Sequence, residues 1–168
     1  GQYFTEVDFN LFDRHSLSEP QFGGNPWDFM FTNLRDNQIL LNKAQDDKTF
    51  TVYEGPALVL KAFIVSNITD IYGNAPFTEA VSGKDGVITP KYDDQEDIYT
   101  GEDGILSLLD QAILSIDAYN GNASLDGDIF FNGNLSAWRK FANSLKIKSI
   151  MRISDVELLS SELQEVYD

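Results

Sequence analysis

The chain has 168 residues, of which 42% are hydrophobic and 12% aromatic, so it can bury a substantial core and is not disordered as a whole. Its 27 acidic residues against 12 basic ones give a net charge of −15, which argues against binding to nucleic acid or to an anionic membrane surface. We interpret the acidity as a source of solubility rather than as an acidic binding face. The absence of cysteine excludes disulfides, thiolate metal sites and cysteine nucleophiles.

No signal peptide or membrane span is visible in the sequence. The apolar run over residues 57–60 is followed by Lys61, and the segment is shorter than the roughly 20 apolar residues that a span requires. The chain begins with Gly1 rather than methionine, so we expect a piece of a longer protein. Its length predicts one domain or at most two.

The first half of the chain predicts an irregular segment followed by two helices. Residues 1–26 have a cluster of glycine and proline near their end, which is typical of a loop. A helix is predicted over residues 27–44, where apolar residues recur at intervals of three and four. After a polar connection, a second helix is predicted over residues 55–71, with a proline near its first turn. This second helix is apolar around most of its circumference, which predicts a central position in the fold.

The segment Asp70–Val81, which we call the hinge, ends the second helix. Gly73 can adopt a positive φ and so can end a helix, and Pro76 keeps the residue before it out of the helical region. Tyr72 and Phe77 flank this break and are predicted to pin the turn by packing. The hinge sets the direction of one helix and of the loop that follows it. None of its residue types indicates a catalytic role.

The second half of the chain alternates loops and helices. Residues 82–102 form a long acidic connection, residues 104–119 an amphipathic helix and residues 120–134 a turn-rich connection. Ser136 is a suitable N-cap for a further helix, and an acidic helix over residues 155–166 is predicted to follow it. Antiparallel helices joined by long irregular loops indicate an all-α domain of helix hairpins, with no clean fixed-period repeat.

Three stretches, in this order, carry a resemblance to a known family. The first is W-x-x-M-F-x-x-L-x-D-N-x-I-L over residues 27–40, and the second is A-L-V-L-K-A-F followed by I-Y-G-N-A-P-F-T-E-A over residues 57–80. The third is W-R-K-F-A-N-S-L-K-I with M-R-I-S over residues 138–154, preceded by P-K-Y-D-D-Q-E-D-I-Y over residues 90–99. Together they resemble the SusD/RagB family of outer-membrane nutrient-binding lipoproteins.

The resemblance covers residues 27–154, with mild departures at Asn74, Ala75 and Phe77, where the family often has Asp, Val and Tyr. Family members are considerably longer, with a lipid-bearing N-terminal cysteine and a C-terminal half that this sequence lacks. The resemblance therefore implies that residues 1–168 form a single helical domain with tetratricopeptide-like hairpins, similar to the N-terminal part of a SusD-like protein.

The resemblance also implies a function, that of a non-catalytic lipoprotein without cofactors at the outer-membrane cell surface. In Bacteroidetes-type polysaccharide utilisation, such a protein captures a glycan, or in some members a peptide, and delivers it to a SusC-like TonB-dependent transporter. Its membrane attachment would be a lipid anchor outside this chain. The alternative hypothesis is a helical protein-interaction scaffold without its own ligand site, and a secreted hydrolase is the least favoured one.

A glycan site needs exposed aromatic faces with polar side chains beside them. Asn25 and Trp27, at a loop-to-helix junction, and Tyr92, in the long acidic loop, are the candidate ligand-binding residues. Trp27 also begins an apolar stripe, and packing in the core is the interpretation that the stripe favours. Tyr92 is flanked by charge, which favours exposure, but it can equally anchor the loop. Trp138 heads an apolar stripe and is assigned to the core.

Two acidic clusters offer oxygen ligands to a hard cation. They are Asp93, Asp94, Glu96 and Asp97 in the long loop, and Asp126 and Asp128 with Asn132 and Asn134. The first lacks the alternation and central glycine of an EF-hand loop, so a solvated acidic loop is favoured, and turn chemistry is favoured for the second. The single histidine, His15, cannot form a multi-histidine site. We predict no metal site and no catalytic residue, since no nucleophile arrangement, phosphate loop or facing carboxylate pair stands out.

Overall fold

The computed structural model describes residues 26–154, and helices account for most of this range. The five α-helices of the described range are α1 (Pro26–Asp46), α2 (Glu54–Tyr72), α3 (Gln95–Thr100), α4 (Ile105–Ala118) and α5 (Leu135–Ile153). Two 3₁₀ helices, Lys48–Tyr53 and Gly83–Asp85, lie in the connections. Within the described range, strand pairing is limited to an isolated antiparallel bridge between Ala75 and Asp93. The predicted all-α fold is confirmed, while the helix predicted over residues 155–166, Asn25 and His15 lie outside the described residues.

Helix α2 is the centre of the packing, because it contacts α1, α4 and α5. Its buried apolar side chains include Ala57, Leu58, Val59, Ala62, Val65 and Ile68. At Gly55 the backbone of α2 approaches α4 so closely that an added Cβ would clash with the side chain of Ile116 and lie 3.2 Å from the carbonyl oxygen of Ala112. The central position predicted for this helix is confirmed.

Polar contacts also join the helices to one another. The amide of Asn37, a buried residue of α1, donates a hydrogen bond of 2.9 Å to the carbonyl oxygen of Ala57 in α2. The buried ammonium of Lys146 in α5 forms an ion pair of 2.7 Å with Asp110 in α4. A buried charge needs such a partner, since its desolvation would otherwise oppose folding.

The hinge follows the prediction closely. Gly73 has a φ of +72°, and its N–H donates to the carbonyl oxygen of Thr69 at 2.8 Å, which closes α2. Phe77 is buried, as predicted. The chain then leaves in an extended conformation and meets the loop before α3 at the bridge between Ala75 and Asp93. The hinge therefore sets where that loop lies against the helices.

Several local predictions are wrong. Helix α3 interrupts the long connection predicted over residues 82–102. The N-cap of α5 is Asn134 rather than Ser136, since the Asn134 side chain accepts the N–H of Ala137 at 3.1 Å. Ile39 of α1 and Met151 of α5 are apolar but 50% and 65% exposed, so these two side chains do not pack in the core. None of the described helices is long and apolar enough to cross a membrane.

Candidate ligand-binding site

Four aromatic rings from three parts of the fold meet at the start of α1, and we call them the aromatic cluster: Trp27, Phe31, Tyr72 and Tyr92. Trp27 lies at the centre, with ring centroids 4.6 Å from Phe31 and 4.8 Å from Tyr72, which it meets edge-on at 86°. The ring of Tyr92 lies 6.3 Å from that of Trp27 and only 19° from parallel to it. The fold thus brings two of the three predicted site residues together.

The aromatic cluster is buried on one side and open on the other. Trp27 is half-buried and packs against the hydrophobic core. Part of its ring is therefore in the core, as the apolar stripe predicted, and part is exposed. Tyr92 is 63% exposed and Tyr72 is 38% exposed. Tyr72 packs on Trp27 as well as marking the end of α2. The role of Trp27 and Tyr92 as ligand contacts stays a prediction.

The position of Tyr92 is fixed by its neighbour Asp93. The backbone of Asp93 exchanges two hydrogen bonds with Ala75, of 3.0 and 3.3 Å. Its buried carboxylate accepts the backbone N–H groups of Phe77 and Thr78, at 3.0 and 2.8 Å, and the hydroxyl of Thr78 at 3.0 Å. The ammonium of Lys91 adds an ion pair of 3.1 Å. These contacts attach the loop that carries Tyr92 to the hinge.

The electrostatics of Asp93 agree with this role. Burial by itself raises the pKa of the Asp93 carboxyl, but the hydrogen bonds from Thr78, Lys91 and Phe77 outweigh it and hold the pKa below the ordinary value of 3.8. The carboxylate is therefore used by the protein itself, and the prediction of a solvated acidic loop is wrong for Asp93. Among residues 26–154, no group of three or more His, Cys, Asp or Glu side chains is arranged to hold a metal ion.

The end of α2, where Tyr72 lies, is tied to two other helices through Asp70. The carboxylate of Asp70 accepts the hydroxyl of Tyr99 from α3 at 2.6 Å and the Nε of Arg152 from α5 at 3.1 Å. Burial, followed by the hydrogen bond to Asp70, raises the pKa of the Tyr99 hydroxyl, which stays a neutral donor. The Tyr72 side of the aromatic cluster is thereby held in place by α3 and α5.

A groove of about 720 Å³ runs along α1 from Trp27 and Phe31, the two rings of the aromatic cluster that line it, and the residues around the second 3₁₀ helix form its other wall. Its α1 side carries Trp27, Phe31, Arg35, Gln38 and Asn42, and its other wall includes Val81, Lys84 and Asp85. Two smaller cavities, of about 260 and 270 Å³, adjoin it through Gln38. One end of the groove is aromatic and the remainder is lined mostly by polar side chains.

Sequence reasoning missed most of these groove residues. Phe31, Arg35, Gln38 and Asn42 follow Trp27 at spacings of four, four, three and four, which places them on one face of a helix. The sequence signal for this side of the groove was a helix face that changes from aromatic to polar along its length. The loop wall opposite has no comparable periodicity and could not be found in this way.

The second acidic cluster builds a turn, as predicted. The carboxylate of Asp128 accepts the backbone N–H groups of Phe130, Phe131 and Gly133 at 2.9 to 3.2 Å, and the indole N–H of Trp138 at 2.8 Å. Burial alone would raise the pKa of Asp128, but these donors lower it, the indole contributing most. Trp138 is 2% exposed and belongs to the core, which confirms its assignment.

The described part of the chain is thus a helical scaffold with an exposed aromatic cluster at one end of an open groove. A family model for SusD-like proteins, described as "Starch-binding associating with outer membrane", matches residues 1–167. The chain belongs to the SusD-like family, whose helical, tetratricopeptide-like fold it shares. The predicted family is confirmed.

Solved structures give the same result. A chitin-binding protein is 31% identical, with a TM-score of 0.68, over 83% of this chain and 28% of its own. A SusD/RagB family protein from Bacteroides thetaiotaomicron is 29% identical, with a TM-score of 0.68, over 83% of this chain and 29% of its own. A SusD homologue from Bacteroides fragilis is 27% identical, with a TM-score of 0.61, over 77% and 27%. The match spans less than a third of the length of these proteins. A search of curated proteins found no match.

Proposed function

We propose that this chain is part of a non-catalytic protein of the outer-membrane cell surface that captures a glycan on the aromatic cluster and delivers it to a SusC-like TonB-dependent transporter. The observation that carries the proposal is the pair of near-parallel rings, Trp27 and Tyr92, whose centroids are 6.3 Å apart. Tyr92 is 63% exposed, and Trp27 lines an open groove of about 720 Å³. Family membership supports the glycan class of ligand and the surface location.

The chemistry of the aromatic cluster suits a sugar. Sugar rings present apolar C–H faces that pack on aromatic rings, and an indole or a phenol adds a polar edge in a wet site. Beyond the rings, the groove offers the hydroxyl of Thr32 and the amides of Gln38 and Asn42 as hydrogen-bond partners for sugar hydroxyls. A site of this kind combines apolar contact with a few polar groups that fix orientation.

The transporter and the lipid anchor are part of the same proposal, and they are supported by the family alone. The matching family model describes association with the outer membrane. One solved relative is a chitin-binding protein, which makes an oligosaccharide of N-acetylglucosamine a reasonable first probe beside starch fragments. Oligopeptides are the second class to be tested, because some members of the family take up peptides.

Isothermal titration calorimetry of the purified protein, at its native length, with starch and chitin oligosaccharides and a set of oligopeptides tests the proposal. We expect Tyr92→Ala to weaken oligosaccharide binding about two- to tenfold, which corresponds to the roughly 0.5–1.5 kcal/mol of an aromatic contact. The matched control is Ile129→Ala, since Ile129 is also highly exposed but lies in the 120–134 connection. Equal affinities for Tyr92→Ala and the control, or no binding across the panel, would contradict the proposal.

A second candidate function is a protein-interaction scaffold, and one surface favours it. Ile129 and Phe130 are 87% and 55% exposed, although the turn that carries them is held in a defined shape by Asp128. Ordered, exposed apolar side chains of this kind mark contact surfaces for other proteins. Co-purification of a SusC-like barrel that survives Tyr92→Ala but is lost in the double variant Ile129→Ala, Phe130→Ala would assign this surface to the transporter.

A further inference from the structure

Lys61 is a cation of α2 that lies over the ring of Phe77 and lines a cleft. Its side chain is half-buried, and its ammonium lies 6.0 Å from the centroid of the Phe77 ring. Within residues 26–154 the ammonium has no hydrogen-bond acceptor and no ion-pair partner within 4 Å. Burial lowers the pKa of Lys61, and the carboxylate of Asp103 offsets part of that effect from a greater distance. A half-buried donor without an acceptor is suited to bind one from outside.

The space around Lys61 is a polar cleft, formed by the two smaller cavities of about 260 and 270 Å³. Both cavities are lined by Lys61, Gln38, Phe77 and Thr78. The remaining polar lining residues are Asn42, Ser82 and Asp85 on one side, and Gln45, Asp103 and Gln111 on the other. Amide and hydroxyl side chains both donate and accept hydrogen bonds, as sugar hydroxyls do.

The cleft continues the groove of the aromatic cluster. Gln38 and Asn42 line both the groove and the cleft. Their side chains are already oriented toward one another, because the Gln38 amide donates to the Asn42 oxygen at 2.7 Å. A chain molecule that starts on the aromatic cluster and follows α1 therefore reaches Lys61 without leaving the groove.

The charges along this path are balanced. Among the described residues that line the groove and the cleft, three are cationic (Arg35, Lys61 and Lys84) and three are acidic (Asp28, Asp85 and Asp103). The chain as a whole carries a net charge of −15. A locally neutral path in a strongly acidic protein suits an uncharged ligand, since an anion would face the field of the remaining carboxylates.

We propose that the cleft around Lys61 is a second sugar subsite, which binds the hydroxyl groups of an uncharged sugar unit several units along from the one on the aromatic cluster. This inference rests on the proposed glycan-binding function. In it, the Lys61 ammonium donates to sugar hydroxyl oxygens, and Gln38 and Thr78 supply further hydrogen bonds. Phe77 provides an apolar surface at the bottom of the same cleft.

A length series of neutral oligosaccharides, measured by calorimetry on the protein at its native length, tests the subsite. We expect the affinity of the wild-type protein to rise with length, and Lys61→Met to weaken the long ligands about tenfold, as loss of a hydrogen bond to a charged group does, while leaving the shortest binding ligands unchanged. Tyr92→Ala should weaken ligands of every length. Lys140→Met, at an exposed position of α5 away from the groove, is the matched control and should bind as the wild type does.

The outcomes separate the two proposals. Binding that depends on Tyr92 but is the same in Lys61→Met at all lengths would overturn the subsite and leave the proposed function standing. Absence of binding by the wild type would overturn the proposed function and the subsite with it. Tighter binding of uronic-acid oligosaccharides than of neutral ones of equal length would overturn the uncharged class. Thermal unfolding checks that the variants fold, and Lys61→Gln, which keeps a donor, should retain most of the affinity lost in Lys61→Met.

Discussion

The carboxylate of Asp93 accepts both the backbone N–H of Thr78, at 2.8 Å, and the hydroxyl of the same residue, at 3.0 Å. These two residues are 15 positions apart and belong to different segments, the hinge and the loop before α3. Together with the hydrogen bonds between Asp93 and Ala75, their contact holds the exposed Tyr92 next to Trp27. A buried residue that does not line the groove thus governs the geometry of the aromatic cluster.

We expect Asp93→Asn to destabilise the fold by about 1–3 kcal/mol, because an amide nitrogen cannot accept the N–H groups that the carboxylate oxygens accept. Urea denaturation measures the change. Ligand affinity should fall as well, since the loop that carries Tyr92 loses its attachment. Asp94→Asn is the control: Asp94 is exposed and accepts the Asn74 side chain, so its change in stability should stay within about 1 kcal/mol. Equal stability of the two variants would contradict this role of Asp93.

The pKa values of Asp93 and Asp128 predict how stability changes in acid. Both are held below the ordinary 3.8 in the folded protein, so the folded state binds these protons less readily than the unfolded state. Their contribution is present in full above pH 3.8 and is lost as the pH falls through the lower folded values. Urea denaturation between pH 7 and pH 2 should show this loss, and a smaller one in the double variant Asp93→Asn, Asp128→Asn. An unchanged pH dependence in that variant would show that other groups cause it.

A side chain at Gly73 should destabilise the protein through backbone conformation alone. Its φ is +72° and its ψ is −122°, while an added Cβ would meet nothing within 4 Å. We expect Gly73→Ala to cost about 1–3 kcal/mol, the strain of a non-glycine residue in such a region. Gly83→Ala is the matched control, with equal space and no positive φ, and should be close to neutral. Thermal and urea unfolding compare the two, and equal losses would refute the conformational explanation.

Two substitutions at Trp138 should separate its hydrogen bond from its packing. Trp138→Phe keeps an aromatic ring but removes the donor to Asp128, and we expect a loss of about 1.5–3 kcal/mol. Trp138→Ala also empties a site in the core and should cost about 3–5 kcal/mol. The free energy of unfolding measures both. A Trp138→Phe variant as stable as the wild type would mean that the indole N–H contributes nothing to the turn around Asp128.

The parts of the fold that could be predicted are those determined by residues close together in the sequence. Helix α2 was predictable because its apolar residues surround it, and the hinge because Gly73 and Pro76 each restrict the backbone. Helix α3 was not, since six residues are too few to show a period. Its buried pair, Ile98 and Tyr99, is apparent only once α4 and Asp70 are in place.

The candidate site was predictable in composition but not in geometry. Trp27 and Tyr92 were chosen as aromatic residues near loops, and their proximity depends on Asp93, whose burial contradicts the usual behaviour of an acidic loop residue. For Asn134 and Ser136, both residue types are good caps. Which of them caps α5 depends on where the turn around Asp128 ends, and that position is set by tertiary structure.

The chain has two tryptophans, and they lie in contrasting surroundings. Trp138 is sealed in the interior, whereas Trp27 is partly open and touches two tyrosines. Replacing Trp138 by phenylalanine would leave Trp27 as the one tryptophan of residues 1–168, located where a ligand is expected. The emission of Trp27 would then report ligand binding, and displacement of the loop that carries Tyr92, without an attached label.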